Sequence, residues 1–412
     1  MMDAGRIAGS VAWGGVVVAL ALGGCGGESL EDAVYVIRPE VAQLEPEYRK
    51  PILEALRRHF GTPSRPRYHV PRVEEEVEEG ESYPLVEWIS AAQLEYGRAV
   101  YQRRCAGCHG LSGDGNGPAA DYLFPRPRDY RRGLFKFTST PYGRKPRRVD
   151  LIRTIRFGAK GTSMPAFRWL ADDDLQAVVD YVMMLAARGE VEYRLGVEAA
   201  DLEPDELPEV IPEVVAEVAA SWKEAEAQAV IPLTPEPPMT AESVAKGRQI
   251  FQNKACKGCH KVDAAGGLLA YEQLLAEASP DVLPAELRPR WEELARELMA
   301  PALMKRIAKQ VGEDVLPETV LDAWGGFSYA ANLTSGMLHG GRRPIDIYRR
   351  LYTGVTGTPM PSFAQHELFA ENPENFWHVV HFVIATTKGQ PVPLPQEESA
   401  AAGASEAKED NG

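Results

Sequence analysis

The sequence predicts a mainly α-helical protein built from two similar units in tandem. Three observations carry this. The order helix, C-x-x-C-H, long loop, helix, Met-containing turn, closing helix occurs twice. The pentapeptides are CAGCH at 105–109 and CKGCH at 256–260, and the turns are GTSMPAF at 161–167 and GTPMPSF at 357–363. Around them apolar residues recur at helical spacing, as with Leu175, Val178, Val179, Val182 and Leu185 on one face of ADDDLQAVVDYVMMLAA.

Taken in order, Arg6 precedes an apolar, Gly-containing run that ends as LGGC at Cys25. A basic start, an apolar stretch and small residues before the break read as an export signal over 1–24. Small residues directly before a Cys resemble a bacterial lipobox, and on that resemblance Cys25 is the lipid-attachment site. An uncleaved signal-anchor helix is the other reading, for which the stretch is short and glycine-rich. Both put the bulk of the chain outside the cytoplasm. No later segment is long enough to cross a membrane. Residues 25–82 read as a tether with one short amphipathic helix at 46–60, Pro near its start and Gly61 just past its end. His59 and His69 read as surface residues of that tether. Acidic EEEVEEGE at 74–81 reads as a solvated spacer.

Residues 83–189 form the first unit. A helical pattern from ISAAQLEYGRAVYQRR runs into the Cys pair, and GLSGDGNGPAADYLFPRPRDY is Gly- and Pro-rich loop. VDLIRTIRFG is a helix ended by Gly158, and the closing helix has acidic residues in its first turn. Residues 190–243 carry 14 acidic residues against Arg194 and Lys223, a net of −12, with frequent prolines. They read as an extended acidic linker with one helix around 213–228. Residues 244–390 form the second unit, in which Gly247 and Phe251 match Gly97 and Tyr101. PRDYRRGLF at 127–135 is echoed by AANLTSGML at 330–338. The departure is length: His109 to Met164 spans 55 positions and His260 to Met360 spans 100. The extra chain, 268–322, is helical in pattern. The small, polar tail at 391–412 reads as disordered.

A net charge of −14 argues against nucleic acid as the main partner. C-x-x-C-H is the pattern of c-type haem attachment, in which two thiols add to the haem vinyl groups and the adjacent His reaches the iron. Taken singly, the motif also fits a zinc or redox site. Haem iron in electron carriers takes a His and a Met together. Met164 and Met360 stand in Pro-stiffened turns that forbid a helix interior and hold a thioether still. Met183, Met184, Met299, Met304 and Met337 read as ordinary core filler.

Each unit resembles a class I cytochrome c domain. The residues that carry the resemblance are Gly97, Tyr101, Cys105, Cys108, His109, Met164, Pro165 and Tyr181 in the first unit. In the second they are Gly247, Phe251, Cys256, Cys259, His260, Met360, Pro361 and Phe382. The resemblance implies a small helical fold whose first and last helices cross near Gly97/Tyr181 and Gly247/Phe382. It implies two haem c groups, with iron held by His109 and Met164 and by His260 and Met360. It also implies a Pro carbonyl that orients the His; Pro118 is the candidate in the first unit, and the second has no counterpart at that distance. The expected function is electron transfer rather than enzymatic turnover, by a lipid-anchored protein on the periplasmic side of a bacterial membrane. It would act as a carrier or a respiratory-chain subunit, with partners such as a quinol-oxidising complex and a terminal oxidase. The alternative is a dihaem oxidoreductase, peroxidase-like or sulfur-compound oxidising, with one open haem.

From Arg126 to Arg156 the first unit has 11 basic residues against Asp129 and Asp150. These fit three roles: pairing with haem propionates, steering an acidic partner, or receiving the acidic linker. His339 reads as a loop residue, and His381 aligns with Asp180 at a position expected to face outward.

Overall fold

The computed structural model describes residues 34–72, 83–123, 125–253, 256, 260, 322–324, 330–331, 333 and 338–388. The signal region with Cys25, the spacer at 74–81, Cys259, all of the insert but Asp322, and the tail lie outside the described residues. The fold is mainly helical, with two cytochrome-sized helical units in tandem. Among the described residues no helix is long and apolar enough to cross a membrane.

The first unit is built on α3 (Ala91–Arg104) and α6 (Asp172–Glu198), with α4 (Ala106–His109) and α5 (Arg148–Phe157) between them. Ser90 caps α3 by accepting from the Gln93 N–H at 3.3 Å, and Asp172, Asp173 and Asp174 face the positive end of α6. The second unit repeats this with α8 (Ala241–Asn253), α9 (Pro344–Thr353), the short α10 (Glu367–Ala370) and α11 (Asn375–Thr387). Both α5 and α9 start with an aspartate that reaches back to the N-cap N–H, Asp150 to Arg147 and Asp346 to Arg343.

The helix crossings stand where the two glycines allow them. A Cβ on Gly97 would lie 2.0 Å from the Ala177 carbonyl oxygen, and one on Gly247 would lie 1.8 Å from that of His378. Only a residue without a side chain lets the backbones approach so closely. One turn on, Tyr101 meets Tyr181 with ring centroids 5.1 Å apart, and Phe251 meets Phe382 at 5.0 Å.

Three expectations are corrected. The acidic stretch is not an extended linker throughout. Helix α6 continues to Glu198, and α7 (Leu207–Ala225) folds back on the first unit. Leu207, Ile211, Val214, Val215, Val218, Ala219 and Trp222 share one buried face of α7, while Glu209, Glu213 and Glu217 lie off it. Charge counting concealed that stripe, and Pro208 is harmless in a first turn. A short turn at 199–206 joins α6 to α7, and residues 226–240 are without regular structure. They run between the units by backbone bonds: Val230 N–H to Ser139 O at 2.7 Å, with Val230 O accepting from Arg349 Nε at 3.1 Å.

The tether is also folded chain. α1 (Pro39–Ala42), α2 (Pro46–Phe60) and an antiparallel pair, β1 (His69–Pro71) with β2 (Leu85–Glu87), pack on α6 and α7. Val41, Ile52, Leu56, Phe60 and Tyr68 join the core of the first unit. His59 is not a surface residue. It is fully buried, with Nδ1 at 2.8 Å from His69 O and Nε2 at 2.7 Å from Tyr83 Oη, and burial lowers its pKa to about 4.

His381, expected to face outward, is buried. The position lies at the crossing in both units. Gln93 Nε2 donates to Asp180 Oδ2 at 2.9 Å in the first, and Ser243 Oγ sits 2.6 Å from His381 Nδ1 in the second.

Candidate haem sites

In the first unit α4 is a single helical turn, so Cys105, Cys108 and His109 fall at i, i+3 and i+4 on one side of it. The His109 N–H donates to Cys105 O at 2.9 Å, and the His260 N–H donates to Cys256 O at 2.7 Å. Cys105 and Cys108 are partly buried and Cys256 is buried, and none of the three is in a disulfide. Burial, with the neighbouring Cys108, pushes the Cys105 thiol up to about 12. A redox dithiol works through a thiolate of lowered pKa, so this thiol has the opposite character.

Each histidine is partly buried, and the loss of solvent around the ring holds its pKa below the ordinary value. Nδ1 of His109 lies 3.1 Å from Arg128 O, and Nδ1 of His260 lies 3.1 Å from Ala331 O. A carbonyl only accepts, so Nδ1 carries the hydrogen and the free lone pair is on Nε2. The orienting carbonyl is therefore that of Arg128, not the expected Pro118. Its counterpart, which the Pro criterion could not find, is Ala331. The signal was present: the echo of 127–135 in 330–338 aligns Arg128 with Ala331.

The two methionine turns are the same structure. Gly158 (φ 68°) and Gly354 (φ 71°) end α5 and α9 in the left-handed region. A Cβ there would lie 2.7 Å from Met164 O in the first and 2.7 Å from Met360 O in the second. Thr162 Oγ1 donates to Ala159 O at 2.7 Å and accepts from Met164 N–H at 3.1 Å. Thr358 Oγ1 donates to Val355 O at 2.8 Å and accepts from Met360 N–H at 3.3 Å. Phe167 N–H and Phe363 N–H each donate at 3.1 Å to the helix before, at Ile155 O and Leu351 O. The threonine of GTxMPxF thus ties the turn to itself, a role unread in the sequence. Met164 and Cys105 pack against one core, Met360 and Cys256 in the other.

Residues 92–182 match the family described as cytochrome c oxidase, cbb3-type, subunit III, and residues 244–312 match the family described as cytochrome c. The chain carries two cytochrome c domains. It is a dihaem c-type cytochrome, and its two domains imply two covalently bound haem c groups with iron. The second match stops before the Met360 turn, so the geometry above extends the likeness between the domains beyond it. Comparison with curated protein sequences gives no match. A solved structure of the reducing HAO-like protein complex of Kuenenia stuttgartiensis is 23% identical, over 71% of this chain and 96% of that one, with a TM-score of 0.46. A likeness at that level decides neither activity nor partner.

The residues of the cytochrome fit the group. Each described site offers a neutral imidazole with Nδ1 anchored, a cysteine thiol outside any disulfide one turn before it, and a thioether held in a tied turn at the edge of the same core. Soft sulfur and imidazole donors suit haem iron. The basic stretch, by contrast, is spent largely within the chain. Lys145 pairs with Glu190 at 2.6 Å, Arg148 with Asp180, Arg153 with Asp346 at 2.5 Å and Lys136 with Asp322 at 2.8 Å. Of the three roles read for it, folding back of the acidic stretch accounts for Lys145, and contact with the second domain accounts for Arg153 and Lys136.

Proposed function

We propose that the protein moves single electrons through two haems with His/Met axial ligation, His109 with Met164 and His260 with Met360. Cys105 and Cys108, and Cys256 and Cys259, are the attachment pairs. The observation that carries the reading is the duplication of the whole support: the same carbonyl-anchored imidazole and the same threonine-tied methionine turn in both domains.

Bound haem supplies a one-electron iron couple. The chain's own groups do the rest. Arg128 O and Ala331 O fix the ring orientation of His109 and His260 and raise their basicity as donors. Thr162 and Thr358 hold the thioethers in place, so the donor set changes little when the charge on the site changes. With His109 and Met164, or His260 and Met360, both holding the iron, water and small ligands would be kept off it, which favours a carrier over an enzyme with an open haem.

The reading extends to location and partners. Cytochrome c domains in bacteria are typically periplasmic or extracellular, and the LGGC stretch supports a lipid at Cys25. A protein held there suits delivery between a quinol-oxidising complex and a terminal oxidase. The first domain's likeness to an oxidase subunit family supports an oxidase complex as acceptor.

The test is an absorption spectrum of the oxidised protein. The weak Met–Fe(III) charge-transfer band at two-haem intensity, with no rapid reaction with cyanide or peroxide, is the expected result. A high-spin signal at either haem moves the assignment to a dihaem oxidoreductase.

A further inference from the structure

Two of the supports described above meet at one indole. The Trp324 ring lies under the Arg128 guanidinium, whose carbon is 3.6 Å from the ring centroid. Its Nε1–H donates to Asp129 O at 2.6 Å. The adjacent carbonyl, Arg128 O, is the one that receives His109 Nδ1–H. On the other side the ring closes on Gly357, where a Cβ would lie 2.6 Å from Cζ3. The Ala323 N–H donates to Gly357 O at 2.7 Å. Gly357 opens the turn that carries Met360. Seven residues beyond Trp324, Ala331 supplies the carbonyl for His260.

The joint is tightly made. Asp322 has a side chain only 6% exposed and pairs with Lys136 at 2.8 Å and Arg128 at 3.5 Å. Arg132 donates to Ala323 O at 2.6 Å. A short bond from an indole to one peptide restrains the next peptide as well, because a tilt of either leaves a partly buried donor without its acceptor. Partners of a metal-binding histidine set its orientation and donor strength. Here that partner peptide, in the first domain, is gripped from the second.

We propose that Trp324 is a positioning residue that couples the two haem sites, holding the His109-orienting peptide and the Met360 turn in one joint. It rests on the reading of His109 and Met360 as axial ligands. Altered ligation at the second haem therefore changes the potential of the first, and the coupling is reciprocal. No bond is made or broken; each iron still exchanges one electron.

The experiment is a redox titration of the full dihaem chain in four forms: wild type, Met360→Ala, Trp324→Ala and the double variant. Met360→Ala is expected to shift the one-electron equilibrium of the first haem about tenfold, about 59 mV, in the wild-type background and by less than half that beside Trp324→Ala. Equal shifts in both backgrounds, as through-space electrostatics would give, overturn the proposal, as does no shift in either. Trp324→Phe keeps the ring on Gly357 and Arg128 but removes the N–H. It is expected to move the first haem's potential while the second potential and both charge-transfer bands persist, and an unmoved first potential sinks the role given to the indole N–H. Absence of the charge-transfer band from either haem of the wild type overturns the ligand reading and the coupling with it. A two-haem band with an uncoupled cycle overturns the coupling alone.

Discussion

In the first domain the haem-site helices are enclosed by chain from both directions, Tyr35–Val70 from before and Leu207–Ala225 from after. In the second, among the described residues, α8, α9 and α11 pack on one another, and the covering chain is the irregular stretch at 226–240. Leu233 N–H donates to Tyr348 Oη at 3.0 Å there, and Trp377 Nε1–H donates to Thr234 O at 2.9 Å. Yet the helix crossing, the anchored imidazole and the methionine turn agree almost bond for bond. The site is thus set by short-range devices, a glycine, a carbonyl and a threonine, and the surroundings set how firmly each domain is held. Six variants separate those two contributions.

The largest effect is expected at Glu192, which is buried and ties α6 to the start of α1. Its carboxylate accepts from Arg38 N–H at 2.9 Å and pairs with Arg188 at 2.8 Å. Glu192→Ala leaves a buried guanidinium uncompensated, at a cost of about 3–5 kcal/mol. Urea unfolding is expected to show the first domain melting early with the second unchanged. Equal loss in both would mean that the enclosure is not specific to the first.

His59 gives the next effect, through pH. Burial depresses its folded pKa to about 4, while the unfolded chain titrates near the ordinary histidine value of 6.5. The unfolded state therefore takes up the proton first. The contribution is whole above pH 6.5, falls as pH drops through that window and is gone near pH 4, a change of about 3 kcal/mol. His59→Gln flattens this part of the profile; a wild-type-like slope in that variant assigns the titration to another group.

Gly97→Ala and Gly247→Ala force apart helices whose backbones would meet the new Cβ at 2.0 and 1.8 Å. Each is expected to cost about 1–3 kcal/mol by overpacking. Thermal melts of the two should fall by similar amounts, and a large disparity would break the equivalence of the crossings. The smallest effect is expected from Thr162→Val and Thr358→Val. Each removes hydroxyl bonds worth about 1 kcal/mol. Cyanide should displace the methionine faster in each, and only in the altered domain.

Much of this was legible in the residues. Cys105–His109, Cys256–His260, Met164 and Met360 stand out because attachment chemistry and a stiff turn leave short, repeated marks. The glycine crossings were expected from the resemblance to cytochrome c domains, carried by Gly97 and Gly247. What escaped depended on bonds to the backbone or on long-range burial. Arg128 and Ala331 act through their carbonyls, which no side-chain motif reports. Helix α7 was anticipated only as a helix around 213–228 in a linker, and its docking on the first unit was hidden because its glutamates dominate the composition while its apolar face shows only in the spacing. His59 was misassigned because a ring that satisfies both nitrogens internally, on His69 O and Tyr83 Oη, looks in sequence like any polar surface residue. Trp324 carries no motif at all.

The continuation of α6 and the return of α7 also fix an order of assembly. Trp222 and Leu207 close a core whose opposite wall is laid down by Ile52 and Phe60, far earlier in the chain. A chain emerging from its N-terminus therefore carries an unfinished first domain until Ala225 is out, long after CAGCH has passed. The natural seam for cutting the molecule in two lies at 226–240, not at 190, where a cut would split α6 just ahead of Glu192.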